Sequence, residues 1–349
     1  MANDETTETP QSTGPPLNAY IRHPVAPAMT FDHEVVNQRD LSNPELASHL
    51  QGFGGYISQG DGSSQAIHQL LGHVRNVRHQ ISFYSSDMAG ITAWAEQAVA
   101  VIFWPDGSVR DPHHRVLFSP DPSAIDPEAT MPWFPDALER TARSIDRLRT
   151  LDIAHLDSLP YLSSEFETPL PSVTDVVDRV TSLLAVAVRA ESTNEGSPMP
   201  LEQIRGVLPR AFNGLTPSER QWLDETNPDP QTVTNFLWRY ECVPVLLWAL
   251  QLLPTLDLPT TICDVPAITT TVLHTDWEDI EAGLSLRPVA EILDQADLYY
   301  RIHWAIVNSR VGSTPPVEGL DNGAVIERRY ALEWLIGQPT PWDDVPMDT

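Results

Sequence analysis

The sequence has 349 residues, 41% of them hydrophobic and 20% charged, and 21 basic side chains stand against 48 acidic ones for a net charge of −27. That length accommodates two ordinary domains and the hydrophobic share supports packed cores, which excludes a fibre or a wholly disordered chain. The charge argues against nucleic acid and anionic membranes as partners, since both require a positive footprint.

No uncharged apolar run reaches the ~18 residues of a membrane span. All 21 basic residues are arginine. Without lysine, a Schiff base, a phosphate-loop lysine and a serine–lysine dyad are excluded. The two cysteines, Cys242 and Cys263, are too few for a disulfide framework or a cysteine zinc site. Their apolar or proline-bounded surroundings suit free cysteines acting as small hydrophobes.

Residues 1–28 are rich in Thr, Pro, Asn, Ala and acids without periodicity, and read as a disordered acidic tail. The opening MANDETTETPQSTGPP lacks the basic-then-apolar order of a signal peptide, so a cytoplasmic location is expected. MTFDHEVV, from Met29, alternates like a strand, and Ser42-Asn43-Pro44-Glu45 opens a helix that ends near the glycines at 52, 54 and 55. Ser64 is placed to cap a helix over QAIHQLLGHVRNV. HQISFYSS reads as a strand, MAGITAWAEQA as a helix and AVAVIFW as a buried strand. A turn at Pro105-Asp106-Gly107 then leads into a hairpin ending in RVLFS. This order predicts one small sheet with helices on a face.

The five prolines between 119 and 135 mark a loop, and DALERTARSIDRLRTL a helix with acids early and arginines late. A second linker ends at Ser172, a good helix cap. From there the chain reads as helical. Val173, Val176, Val177, Val180, Leu183, Leu184, Ala187 and Val188 form one apolar stripe, and LEQIRGVLPRAF is a shorter helix. Thr216-Pro217-Ser218-Glu219 is a capping box with proline at the first helical position. The run 235–253, NFLWRYECVPVLLWALQLL, should be a long central helix kinked at Pro244, which cannot bond the Tyr240 carbonyl. A proline-punctuated passage follows to 275, and Thr275 with Glu278 should start another helix. Residues 287–310 form a long amphipathic helix, and GAVIERRYALEWLIG the last helix before the tail WDDVPMDT.

Three constellations could carry chemistry. The kink would set Trp238, Arg239, Tyr240 and Glu241 around a free carbonyl, the ingredients of a site and equally of a buried ion pair. On the helix 287–310, Asp294, Asp297 and Arg301 share a face, as an acid–base pair or an ordinary salt bridge would, with His303 turned to another face. Glu327, Arg328 and Arg329 precede a tail bearing Trp342, Asp343, Asp344 and Asp348. They suggest a clasp, with Trp342 as apolar anchor; metal binding by the three aspartates is the alternative, against ligand-loop spacing. The cluster His274, Asp276, Glu278, Asp279 and Glu281 at a helix start is explained by the helix dipole, and His113-His114 by an exposed turn. No GxSxG, HExxH, CxxC, GxGxxG or phosphate-loop motif occurs, so no cofactor and no metal are expected.

At TNFLWRYECVPVLLWAL, ILDQADLYYRIHWA, IERRYALEWL and WDDVPMDT, the chain resembles a bacterial family known as domain of unknown function 4272, over about residues 172–349. The first half resembles the α+β extension of longer members. The resemblance implies a mostly helical domain with a shared tail, and supplies no activity, substrate or catalytic residue.

The expectation is therefore an α+β protein: a small sheet domain over 29–150, a linker over 151–171 and a helical domain over 172–349. Two functions from different classes fit. One is a non-enzymatic cytoplasmic interaction or regulatory protein, of immunity-like type, that binds another protein; its oligomeric state is open. The other is an enzyme with hydrolase-type acid–base chemistry at Glu241, Asp297, Arg301 and His303, which requires those side chains to converge in an open cleft.

Overall fold

The structure, a computed structural model, describes residues 14–60 and 65–348. The proposed Ser64 cap lies outside them. The chain divides into two compact units at Phe134/Pro135.

Among its described residues the first unit holds six strands and three α-helices: β1 (Leu17–Ile21), β2 (Glu34–Asp40), α1 (Glu45–Ile57), α2 (Gln65–Arg75), β3 (His79–Tyr84), α3 (Met88–Ala98), β4 (Ala100–Phe103), β5 (Val109–Arg110) and β6 (Val116–Phe118). The strands form one antiparallel sheet in the order β2-β3-β1-β4-β5-β6. Side-chain alternation splits its core in two. Leu17, Ala19 and Ile21 pack with Trp94 and Ala95 of α3, while Tyr20 packs with Phe53 of α1 and Leu70 of α2. Helices therefore cover both faces, not one.

Two further expectations are corrected. The presumed tail contains β1 from Leu17, which lies in the interior of the sheet between β3 and β4. Its LNAYI pattern is short, and both of its faces are covered by helices, so tail-like composition on either side obscures it. The strand expected from Met29 starts instead at Glu34, because Phe31 leaves the sheet plane to pack edge-on against Phe83 and Trp94, at 6.1 Å from each ring.

The second unit is helical: α4 (Pro135–Thr150), α5 (Val173–Asn194), α6 (Leu201–Val207), α7 (Pro217–Asp224), α8 (Pro230–Leu237), α9 (Cys242–Ala249), α10 (Val265–His274), α11 (Trp277–Ile280), α12 (Val289–Arg310) and α13 (Asn322–Ile336). It begins at α4, earlier than expected. Leu148 of α4 belongs to the helical core, and Arg140 donates to the Leu162 and Ser163 carbonyls, which folds the supposed linker 151–171 onto the unit. The capping boxes at Ser172/Asp175 and Thr216/Glu219 form in full, as the sequence predicts.

The run 235–253 is not one helix kinked at Pro244. It breaks earlier, as a 3-10 turn over Trp238–Glu241, and Pro244 sits in the first turn of α9. Proline tolerates that position, where helix N–H groups lack intrahelical acceptors. The tighter turn also uses the Tyr240 carbonyl, so it is not left free. All eight residues of α9 are buried. The proline-rich passage to 275 contains α10, capped by Asp264 with Pro266 in its first turn. The next cap is Asp276, not Thr275, and it holds only the one-turn α11.

Candidate functional site

The turn Trp238–Glu241 presents its charges to α13. Arg239 and Glu241 do not pair with each other. Arg239 donates to Glu327 Oε2 at 2.9 Å and lies over the Tyr330 ring at 4.7 Å. Glu241 Oε2 accepts from Arg328 Nε at 3.0 Å and Nη2 at 2.9 Å, while Oε1 accepts the Cys263 amide at 2.5 Å. Arg328 Nη1 donates to the Asp257 carbonyl at 3.0 Å. Burial pushes the Glu327 carboxyl upward, although Arg239 and hydrogen bonds oppose it. For Arg328 the order reverses: burial would lower its pKa, but Tyr299 and Glu241 outweigh it.

Asp297 and Arg301 form a second, separate network. They are the i,i+4 pair the spacing predicts, with Arg301 Nε 2.9 Å from Asp297 Oδ2. Both are essentially without solvent exposure, and Thr141 of α4 accepts from Arg301 Nη2 at 2.9 Å. Asp294 lies outside this pair, half-buried and bound to Arg143 at 2.6 Å. His303 does face elsewhere: its Nδ1 accepts from Arg329 Nη1 at 2.5 Å, which requires an unprotonated ring nitrogen. Burial, reinforced by Arg329 and Arg310, holds its pKa down at about 4.

The tail is clasped, but through backbone. Arg329 Nη2 donates to the Asp348 carbonyl at 2.7 Å, and Tyr330 donates to the Trp342 carbonyl. Trp342 is the apolar anchor, buried against Tyr330 and Trp334 with Arg179 over its face at 4.9 Å. Among the described residues, no tail aspartate side chain pairs with Arg328 or Arg329. Asp343 instead accepts the Ser218 amide in the first turn of α7 at 3.1 Å, and Asp344 is exposed. Dipole and capping chemistry attract Asp343 there, while Arg328 and Arg329 already face Glu241 and Glu333. Among the described residues, no three His, Cys, Asp or Glu side chains are grouped to hold a metal ion.

One buried pair escaped the sequence. Arg179 Nη2 reaches Glu219 Oε1 at 2.6 Å and Oε2 at 2.5 Å, both side chains nearly fully buried. Glu219 reads as a capping residue, which it also is. The available signal was Arg179 beside the apolar stripe of α5.

Next to the first network lies a cavity of about 240 Å³ lined by Leu237, Trp238, Tyr240, Glu241, Cys263 and Val265, with Glu191 and Ile262 completing its wall. Trp238 is half-buried, and Gly323 of α13 lies under its ring: a Cβ there would stand 2.6 Å from Cη2. Tyr240 donates to Glu191 Oε2 at 2.7 Å, and burial followed by that carboxylate raises its phenol pKa. Burial and then Glu241 push the Cys263 thiol up to about 12, and burial lifts Cys242 well above the usual range. Neither cysteine is an activated nucleophile.

The family model described as Domain of unknown function (DUF4272) matches residues 140–345, more than half of the chain, and the chain belongs to that family. The match takes in most of α4, in agreement with where the helical unit starts. No curated protein and no solved structure matches the chain. No helix among the described residues is long and apolar enough to cross a membrane.

Proposed function

We propose that this chain is a non-enzymatic cytoplasmic protein that acts by binding another protein, in a regulatory or immunity-like role. The observation that carries the reading is the state of the ionisable groups. Glu241, Asp297 and Arg301 are buried and each is committed to a partner in the core, and His303 is held neutral against Arg329. Acid–base catalysis needs groups that converge on a substrate and can exchange a proton with it within hydrogen-bond reach, and these groups are spread over separate networks with their polar atoms already bonded to protein partners. The −27 charge supports a partner with a basic face, met quickly at low salt through electrostatic steering.

The test pairs two measurements on the purified full chain. A partner identified by crosslinking is purified and its affinity measured at low and high salt; the expected complex weakens as salt rises. In parallel, wild type, Asp297→Asn and His303→Gln are assayed against a panel of ester, amide, phosphoester and glycoside substrates. Turnover by wild type that either substitution abolishes while the protein stays folded refutes the reading in favour of the enzyme.

A further inference from the structure

The cavity beside the 3-10 turn has a chemical character that the buried networks do not require. Its wall is apolar at Leu237, Val265 and Ile262, the last of which is 59% exposed at the rim. Two aromatic side chains, Trp238 and Tyr240, line it, and every charged residue lining it is a carboxylate. Glu241 is already neutralised there, its two oxygens taken by Arg328 and the Cys263 amide. Glu191 is not. It is exposed, keeps one oxygen after accepting the Tyr240 hydroxyl, and meets no arginine at the cavity. Glu195, one helical turn further along and also exposed, adds a second carboxylate whose charge reaches the Tyr240 phenol. The volume of about 240 Å³ is just under the roughly 300–1,000 Å³ usual for small-molecule sites, so the occupant is small.

The geometry points to a binding site for a small organic cation, an ammonium group on a short apolar body. The apolar wall desolvates the body, the Trp238 and Tyr240 side chains supply aromatic rings in the lining for the charge to pack against, and Glu191 supplies the counter-charge. An anion would meet only carboxylates. A neutral apolar molecule would fill the volume without using Glu191. This inference stands independently of whether a protein partner exists.

The full chain is titrated with choline and with 3,3-dimethylbutan-1-ol, which has the same shape without the charge, by calorimetry and tryptophan fluorescence. Choline should bind saturably and the alcohol at least roughly fivefold more weakly, the scale of a partly exposed cation–π contact. Glu191→Gln should weaken choline by about three- to fivefold, the range of an exposed charge contact, and leave the alcohol unchanged. Ile262→Trp, at an exposed rim position, should abolish choline binding while the unfolding midpoint stays in place. A trimethyllysine peptide that binds more tightly than choline assigns the cation to a polypeptide side chain; weaker binding assigns it to a free amine. Equal affinity for choline and the alcohol, no saturable binding of either, or unaltered choline binding in Ile262→Trp each overturns the proposal.

Discussion

Glu241→Gln tests whether the buried charges hold the helical unit together. In the native protein Arg328 has two hydrogen bonds to Glu241 and one to the Asp257 carbonyl, with side-chain exposures of 9% for Arg328 and 3% for Glu241. The amide keeps one acceptor oxygen, which the Cys263 N–H and the guanidinium must now share, and the guanidinium loses its counter-charge. Removing one member of a buried pair costs roughly 3–5 kcal/mol, and the retained acceptor places this variant near 3 kcal/mol. For a folding unit of this size each kcal/mol moves the midpoint by about 2–4 °C, so a fall of roughly 6–12 °C is expected. Tryptophan fluorescence is the right probe, because seven of the ten tryptophans lie beyond residue 134. Arg328→Gln and the double variant complete a mutant cycle. The double variant should recover at least about 1.5 kcal/mol relative to the sum of the singles. A shift under about 2 °C in Glu241→Gln, or strictly additive singles, would refute a tight Glu241–Arg328 pair.

Three other perturbations bear on the same region. His303 has a folded pKa of about 4 against its ordinary 6.5, so between those values the unfolded chain binds the proton and the folded chain does not. Its contribution is fully present above pH 6.5 and is lost as pH falls toward 4, on the order of 2 kcal/mol once solvent at the ring edge is allowed for. Urea unfolding of His303→Gln should show a correspondingly shallower loss between pH 7 and 4.5, and parallel curves would sink the assignment. Gly323→Ala, which in an open helix stabilises by up to about 1 kcal/mol, should here destabilise by roughly 1–3 kcal/mol because the new methyl meets Trp238; a raised midpoint would show that the ring yields freely. Finally, the raised thiol pKa values predict that an aromatic disulfide reagent at pH 8 labels neither Cys242 nor Cys263 within minutes in native protein, and both in guanidine; rapid native labelling would contradict the burial.

What could be read from the residues follows how local the information is. The caps at Ser172 and Thr216 and the pair Asp297–Arg301 are short-range features, and they appear where their spacing puts them. β1 is illegible because five residues with both faces covered carry almost no pattern of their own. The start of the helical unit at Pro135 is not legible, because the acids and arginines of α4 give no sign that Arg140 and Thr141 turn inward to satisfy a distant carbonyl and Arg301. The partners of Arg239, Glu241 and Arg329 lie 88, 87 and 26 residues away respectively, for Glu327, Arg328 and His303. Spacing cannot rank such partners. The tail docks, as its Trp342 anchor predicts, but the acceptors are backbone carbonyls, and Asp343 lies at a helix start instead.

The arrangement of these pairs explains why a helix as apolar as α9 needs charged neighbours. With all eight of its residues buried, α9 has no polar face to set its rotation about its own axis. Hydrophobic burial is non-directional, so it favours several azimuths almost equally. The turn just before α9 removes that degeneracy. Arg239 and Glu241 reach Glu327 and Arg328, adjacent positions on α13, and only one rotation satisfies both pairs together. Arg179–Glu219 ties α5 to α7 and Arg301–Thr141 ties α12 to α4 in the same way. Such pairs contribute little net stability, but a misplaced partner leaves a charge buried and alone at several kcal/mol, roughly 3–5. That penalty selects one packing. It also fixes Trp238 over Gly323 and Tyr240 against Glu191, so the cavity between them follows from the register that the charges impose.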